Sequence, residues 1–535
     1  MDASTIQRRR WVILGVVVVG LLAIVIDNTV LNVALKTIAS PPGRGLGASQ
    51  SELEWAINSY TLVFAGLLFT FGVVGDRIGR KRVLIAGLIL FGLGSLFSAY
   101  SHSPDQLIAA RAVMGLGGAA VMPQTLSIIA NVFEPGERAR AIGIWTSAVG
   151  IGVATGPVLG GLLLTHFWWG SVFLINVPVT VIGAVASLIL IPESRNPAHG
   201  KIDFVGVLAS VLGLVLVVFG IVQGGDGESW LSAGVLGPVL GGLAVLGLFA
   251  WYESRIEHPS LDVRLFKIRS LSASVGAIAL LFFGMGGVYF FTSFYLQNVR
   301  GYSPLMTGLL AVPFAVGQFV MSPRSASLVN RLGIRSVMLA GMLMNAVAIG
   351  GWAFLSAGSP IWIVAVLFVI QGAGLGLAVP AATSTIMESL PRERAGAGSA
   401  LTNTARQVAV ALSVAVLGSI LSQAYRSSLD PTLSALPATA RNAAGSSITA
   451  TQAVAAHLGQ AGQFLLAPAD TAFVDAMRIT TAIAAALAVV GGFAVLRWLP
   501  GRKRPTIEEL VAAEVEAAER DLAARALNGA ELSDR

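Results

Sequence analysis

Asp27 lies inside an apolar run, residues 11–34, that is long enough to cross a lipid bilayer. Counted at 1.5 Å per residue, it stands roughly 24 Å along a hydrocarbon core about 30 Å thick. An ionised carboxylate is costly at that depth, so it keeps a proton, pairs with a cation or faces water. A cation is available in Arg111, within another apolar run, 106–130. Arg111 falls about five residues below the surface from which its run descends, and Asp27 about seven residues below the same surface. Matched depth suits an acid that exchanges a proton beside a fixed positive charge, the chemistry of proton transfer coupled to movement. The plainer alternative is a static ion pair that fixes two helices.

The elements that position this pair must be membrane helices. Of 535 residues, 55% are hydrophobic and 12% charged, against about 25% charged in a soluble domain. Reading for apolar runs of about 20 residues yields about fourteen, from 11–34 to 472–498, with span two at 55–75 and span five at 139–165. The first run has no small-residue cleavage site and carries Asp27, so it reads as a retained span rather than a signal peptide. The absence of cysteine excludes disulfides, thiolate metal sites and thiol catalysis. No phosphate-binding loop, metal-ligand cluster or nucleophile constellation is present, so the chain does not read as an enzyme, and no catalytic residue, metal or cofactor is expected.

The net charge is +7, but its placement argues against nucleic acid. Arg8, Arg9 and Arg10 precede span one, Arg77, Arg80, Lys81 and Arg82 follow span two, and Arg138 and Arg140 follow span four. The later even-numbered spans are followed in the same way, ending at Arg502, Lys503 and Arg504. The opposite connections carry few basic residues. That alternation places both termini in the cytoplasm and requires an even number of spans.

The chain repeats internally. Gly115 and Gly117, with Pro123 after them, match Gly372, Gly374 and Pro380 at an offset of 257 residues. Asp76, Arg77 and Gly79 match Asn330, Arg331 and Gly333 at an offset of 254. Parallel repeats of this kind are a transporter architecture, with the binding site between the halves near the midplane. The expected layout is a cytoplasmic N-terminus at 1–10 and a six-helix bundle at 11–192. A linker with an inserted transmembrane hairpin follows at 193–271, then a second six-helix bundle at 272–498 with an external loop at 425–471, and a cytoplasmic tail at 499–535. A short helix is expected near 451–466 in that loop. A capping-box pattern at Thr506, Ile507, Glu508 and Glu509 predicts a tail helix to about residue 527. The symmetry fails where the charge lies, because Arg111 has Phe368 as its counterpart and Asp76 has Asn330. Proton handling is therefore assigned to the first half and cavity shaping mainly to the second.

Three further motifs accompany Asp27. The turn at 72–82 holds Gly72, Asp76, Arg77, Gly79, Arg80 and Lys81, with glycines for a tight reversal and an acid among bases. In span five, Gly152, Gly156 and Gly160 recur every fourth residue beside Pro157 and Gly161, a flat stripe with a bend. The turn resembles the signature loop of the major facilitator superfamily, and 107–120 with Arg111 resembles its fourth-span motif. The span-five segment resembles the antiporter motif of drug exporters, and the residues from Asp27 to Leu35 resemble the first-span motif of fourteen-span drug:proton antiporters. Lys36 departs from that motif, where the family usually has proline.

The resemblance implies an all-α polytopic membrane protein of fourteen transmembrane helices: two six-helix bundles plus an inserted two-helix hairpin. It implies proton-coupled efflux of amphipathic or cationic drugs across the cell membrane of a bacterium by alternating access, with Asp27 and Arg111 coupling protons and the Asp76 turn acting as a conformational gate. A dedicated exporter of one endogenous product, such as an antibiotic, lipid or siderophore, shares the same motifs, and a non-transporting membrane scaffold or sensor is the rival from another class. The expected partners are a small-molecule drug-like substrate, protons and membrane lipids, with the protein working as a monomer. Leu31, Tyr60, Met122, Phe291, Tyr295, Gln318 and Asn403 are the candidate cavity residues, with Gln407 a further polar group there; Arg406 belongs either to the cavity or to an inner gate around Asp76, and the aromatics of span nine, Tyr289 among them, face either cargo or lipid.

Overall fold

The computed structural model describes residues 3–195, 203–226, 228–256, 263–390, 395–434 and 436–499. Among these the chain is helical, without a strand. The first half comprises α1 (Ala3–Ala39), α2 (Gln50–Ile78), α3 (Arg80–Ala99), α4 (Pro104–Val132), α5 (Pro135–His166), the short α6 (Ser171–Leu174) and α7 (Asn176–Leu190). The hairpin α8 (Phe204–Gly225) and α9 (Ala233–Glu253) follows. The second half comprises α10 (Arg269–Phe294), α11 (Pro304–Leu310), α12 (Val312–Leu332), α13 (Ile334–Trp352), α14 (Ile361–Glu388) and α15 (Ala395–Leu433). Two short helices, α16 (Ala438–Ala444) and α17 (Ile448–His457), precede the final α18 (Leu466–Trp498). Local chemistry sets several starts: Ser49 and Glu52 form a reciprocal capping box on α2, and Ser103 caps α4 ahead of Pro104.

Twelve of these helices are long and apolar enough to cross a membrane among the described residues. The count of fourteen is not confirmed. Helix α2 qualifies only as a bent pair, and α5 contributes a shorter apolar stretch, Gly150–His166. Helix α2 is apolar enough as Gln50–Leu68 together with Thr70–Ile78, and a bend of 53° between them sets it apart. In the loop before α18, the helical segment begins three residues ahead of its expected start, as α17 and then a tighter turn of helix, Gly459–Leu465. The expected tail helix at 506–527 lies outside the described residues.

The repeat in sequence is a repeat in packing. A methyl group added at Gly115 would lie 2.5 Å from the Tyr60 carbonyl oxygen, and one added at Gly372 would strike the carbonyl of Phe314, the residue equivalent to Tyr60. Gly117 lies against Gly87 and Phe91, and Gly374 lies against their equivalents Gly341 and Asn345. These small residues let α4 approach α2 and α3, and let α14 approach α12 and α13, to backbone contact. The turns entering α3 and α13 are also twins, each on a glycine of positive φ: +128° at Gly79 and +85° at Gly333.

The halves meet most closely at the end expected to face outward. Lys36 donates to the Gln297 carbonyl, Gln297 donates to the Val33 carbonyl at 2.9 Å, and Ser293 donates to the Asn32 carbonyl. Gly161 on α5 packs against the backbone of Pro304 and Leu305, and Gly308 on α11 packs against the Pro157 carbonyl. The hairpin seals one side, with Val218 and Val222 of α8 buried among Leu62 of α2 and Ala411 and Ala415 of α15. Replacing Gly79 or Gly333 by alanine is expected to cost roughly 1–3 kcal/mol each, because an L side chain rarely adopts that backbone conformation. Thermal unfolding of the purified protein in detergent measures it, and a midpoint unchanged in both variants would contradict the positive φ.

Candidate functional site

Asp27 and Arg111 are in direct contact. The Arg111 guanidinium donates through Nη1 to Asp27 Oδ2, and both side chains are buried. Arg111 Nε also donates to the Ala56 carbonyl at 3.1 Å, and the guanidinium lies over the Tyr60 ring, 4.4 Å from its centroid. The second carboxylate oxygen, Oδ1, accepts from Asn176 Nδ2 at 3.0 Å, and the same amide reaches Ser95 Oγ at 3.0 Å. The acid is thus held by residues of α4 and α7, which are themselves braced on α2 and α3. A carboxylate with a bonded cation on one oxygen and an amide donor on the other meets the conditions for a charge withdrawn from water. Sequence reasoning missed Asn176; a polar side chain opening an otherwise apolar span was the available signal.

A cavity lies between the halves, enclosing about 1280 Å³ with its open mouth included. Its wall is drawn from α1, α2, α4 and α5 on one side and α10, α12, α14 and α15 on the other. Arg111 lines it and Asp27 does not, so the arginine stands between the cavity and the acid. Of the expected cavity residues, Leu31, Met122 and Gln318 are on the wall. Tyr60, Phe291, Tyr295 and Asn403 are not among its described lining residues. Tyr60 instead underlies Arg111 and accepts from Asn28 at 3.1 Å. Phe291 and Tyr295 pack edge-on against Trp352, with centroids 5.7 and 6.0 Å away, so these span-nine aromatics build the core of the second half. Tyr289, Arg406 and Gln407 do line the cavity. No described lining residue is an aspartate or glutamate.

The other two motifs occupy distinct places. Asp76 Oδ1 accepts from Arg80 at 2.7–2.8 Å, and Arg80 also donates to the Ser127 carbonyl at 3.2 Å. Lys81 donates through Nζ to the Leu188 carbonyl at 2.7 Å, which ties the turn to the end of α7, while Arg77 is exposed. Gly72 faces Pro123 of α4 with room for a methyl group, at 3.7 Å. Along α5, Gly152 meets Val25, Gly156 meets Thr29 and the Ile26 carbonyl, and Gly160 meets Val30, all on α1. Gly161 and Pro157 face α11 of the other half. The stripe therefore clamps the helix that carries Asp27 and ends at the outer seam.

A model of the family described as Major Facilitator Superfamily matches residues 17–414. The multidrug efflux pump LfrA of Mycolicibacterium smegmatis is 35% identical over 492 residues, covering 91% of this chain and 96% of that protein. The methyl viologen resistance protein SmvA of Salmonella typhimurium is 34% identical, covering 79% and 84%. The tetracenomycin C resistance and export protein of Streptomyces glaucescens is 32% identical, covering 78% and 77%. Among solved structures, a bacterial homolog to the human lysosomal transporter Spinster, inward-facing and unoccupied, matches with a TM-score of 0.63. It is 19% identical and covers 92% of this chain and 99% of that one, a similarity of fold alone.

Removing only the cation should leave a charge buried and unpaired, at a cost of roughly 3–5 kcal/mol. Arg111→Ala is therefore expected to unfold at a clearly lower temperature in detergent than the double variant Asp27→Asn with Arg111→Gln. A single variant as stable as the double would place the carboxylate in water.

Proposed function

We propose that this chain, which belongs to the Major Facilitator Superfamily, exports amphipathic, drug-like molecules in exchange for protons. Membership makes it a multi-pass membrane transporter rather than an enzyme. Relatives named for efflux and resistance support drug export. The observation that carries proton coupling is the buried Asp27–Arg111 pair abutting the cavity between two repeated halves.

The geometry supports the following cycle. With Asp27 ionised, Arg111 is neutralised and held back against Tyr60 and the Ala56 carbonyl. Protonation of Asp27 removes the counter-ion and leaves a bare guanidinium on the cavity wall. The two protonation states thus present cargo with differently charged surfaces, which is the differential interaction that a population shift requires. Asp27 takes its proton from the outside and releases it to the cytoplasm, cargo binding favours the deprotonated form, and the halves rock about the site. The Asp76 turn latches one state through its bonds to Arg80, and the cavity described here is closed at the outer-expected end.

In proteoliposomes with an imposed pH gradient, Asp27→Asn is expected to reduce proton-driven export about tenfold or more while remaining folded. Full export by that variant would remove the acid from the mechanism. Gly156→Leu, which drives a large side chain into Thr29 and the Ile26 carbonyl, is expected to stop the cycle in the same assay. Normal transport with that bulk in place would show that α1 and α5 need not stay in contact.

A further inference from the structure

A second buried acid lies where the halves meet above the cavity. Glu54, one turn into α2, is 1% exposed, and its Oε2 has no hydrogen-bond partner. It faces α15 of the other half, where a methyl group added at Gly418 would lie 2.3 Å from Glu54 Oε1. Ile57 and Thr61, further along α2, line the cavity, as does Val414, one turn before Gly418. Glu54 and Gly418 therefore close this side of the cavity toward the outer-expected end. Their neighbours are polar and unsatisfied as well. Gln50 and Asn58, one turn to either side of Glu54, are buried with unpartnered amide atoms, and the buried Ser422, one turn beyond Gly418, has an unpartnered hydroxyl.

Buried polar groups are ordinarily satisfied, so a row of unsatisfied ones between two halves suits a surface that water reaches in another state. The carboxylate is the costliest of them to leave ionised and dry. The elements packed on this face are α15 and α8, and neither gives it a cation. Asp226, at the end of α8, acts on Glu54 as a like charge. Arg426, two turns beyond Gly418 on α15, donates to the Asp226 carbonyl oxygen instead. On α2 itself, Glu52 is engaged with Ser49. No ion pair reaches Glu54 among the described residues.

We propose that Glu54 is a proton-binding site separate from Asp27, which holds a proton while the outer seam is closed and releases it to external water when the seam opens. This proton is taken from and returned to the same side, so it is not transported. Because the closed form binds it more tightly, acid outside favours closure, by up to about tenfold in the closed-to-open ratio per pH unit. In the exchange, external acidity then returns the emptied protein to its cytoplasm-facing form. The inference rests on the rocking of the halves in the export reading and is indifferent to the cargo.

The chain has no cysteine, so spin labels are confined to the sites chosen for them. His102→Cys and Ala357→Cys place one on an exposed, outward-expected connection of each half. Double electron–electron resonance measures the distance over a pH series, in wild type and in Asp27→Asn, where the first acid no longer titrates. The short, outer-closed population is expected to grow as pH falls in both. Adding Glu54→Gln, of the same shape and always neutral, is expected to keep the distance short at every pH, whereas Glu54→Asp is expected to retain a pH response. In infrared spectra of Asp27→Asn, the closed form is expected to show a carboxylic acid band that Glu54→Gln removes. An unaltered pH response in Glu54→Gln would overturn the assignment and leave the export reading standing. So would a response that disappears in Asp27→Asn with Glu54 intact, or a closed form in which infrared finds Glu54 ionised. One fixed distance in every variant at every pH would show halves that do not rock, and the export reading would fall with this inference.

Discussion

A carboxylate withdrawn from water inside a helical bundle has to be compensated, and the first half of this molecule is arranged around that requirement. Asp27 receives a cation from α4 and an amide from α7, and each donor has a second bond, to Ala56 and Ser95 respectively. Five helices are drawn to one point by a charge that contributes little net stability, since a well-packed apolar substitute for a buried ion pair is often neutral or better. The second half supplies the comparison within the same chain. At the position equivalent to Arg111 it has Phe368, seated against Trp352 at 5.5 Å and Tyr289 at 6.1 Å. The same small-residue contacts hold both halves together. The fold is thus made once with a buried charge and once with aromatic rings, so packing does not demand the ion pair.

Helix α1 links this pair to the closed seam. It carries Asp27 near its centre and, within the next three turns, Asn32, Val33 and Lys36, whose backbone or side chain bonds to the second half. Lys36, the departure from the expected first-span pattern, is the residue that reaches Gln297. Along the same helix the glycines of α5 sit at backbone contact, and α5 itself touches α11. In the proposed exchange, a shift of α1 would reach the outer seam through one rigid element rather than through a relay of side chains.

Much of this was legible in the sequence, and the rest was hidden for a physical reason. The matched depths of Asp27 and Arg111 permitted their pairing without showing that the helices touch, because depth along a spanning helix follows from residue count alone. The glycine twins at Gly79 and Gly333, and at Gly115 and Gly372, marked the repeat because only glycine meets a positive φ or a touching backbone without cost. Rotation about the helix axis was not legible. Spans that are apolar on every side carry no stripe to say which side faces a neighbour. Phe291 and Tyr295 consequently turned out to pack on Trp352, while Tyr289, two residues before Phe291, reaches the cavity. Span number suffered differently, since a bend such as the 53° one inside α2 divides a run that the sequence shows as continuous.

The cavity between the halves, which Arg406 and Arg111 line from opposite sides, also bears on the energy source of the proposed exchange through the charge of what it holds. An organic anion leaving the cell as a proton enters carries two elementary charges in the sense favoured by an inside-negative membrane, each worth about 2.3 kcal/mol per 100 mV. A monocation traded for one proton carries none, and only the acidity difference drives it. In the proposed exchange the charge of the cargo thus sets whether transport is electrogenic, and whether it still runs when the two compartments are equally acidic.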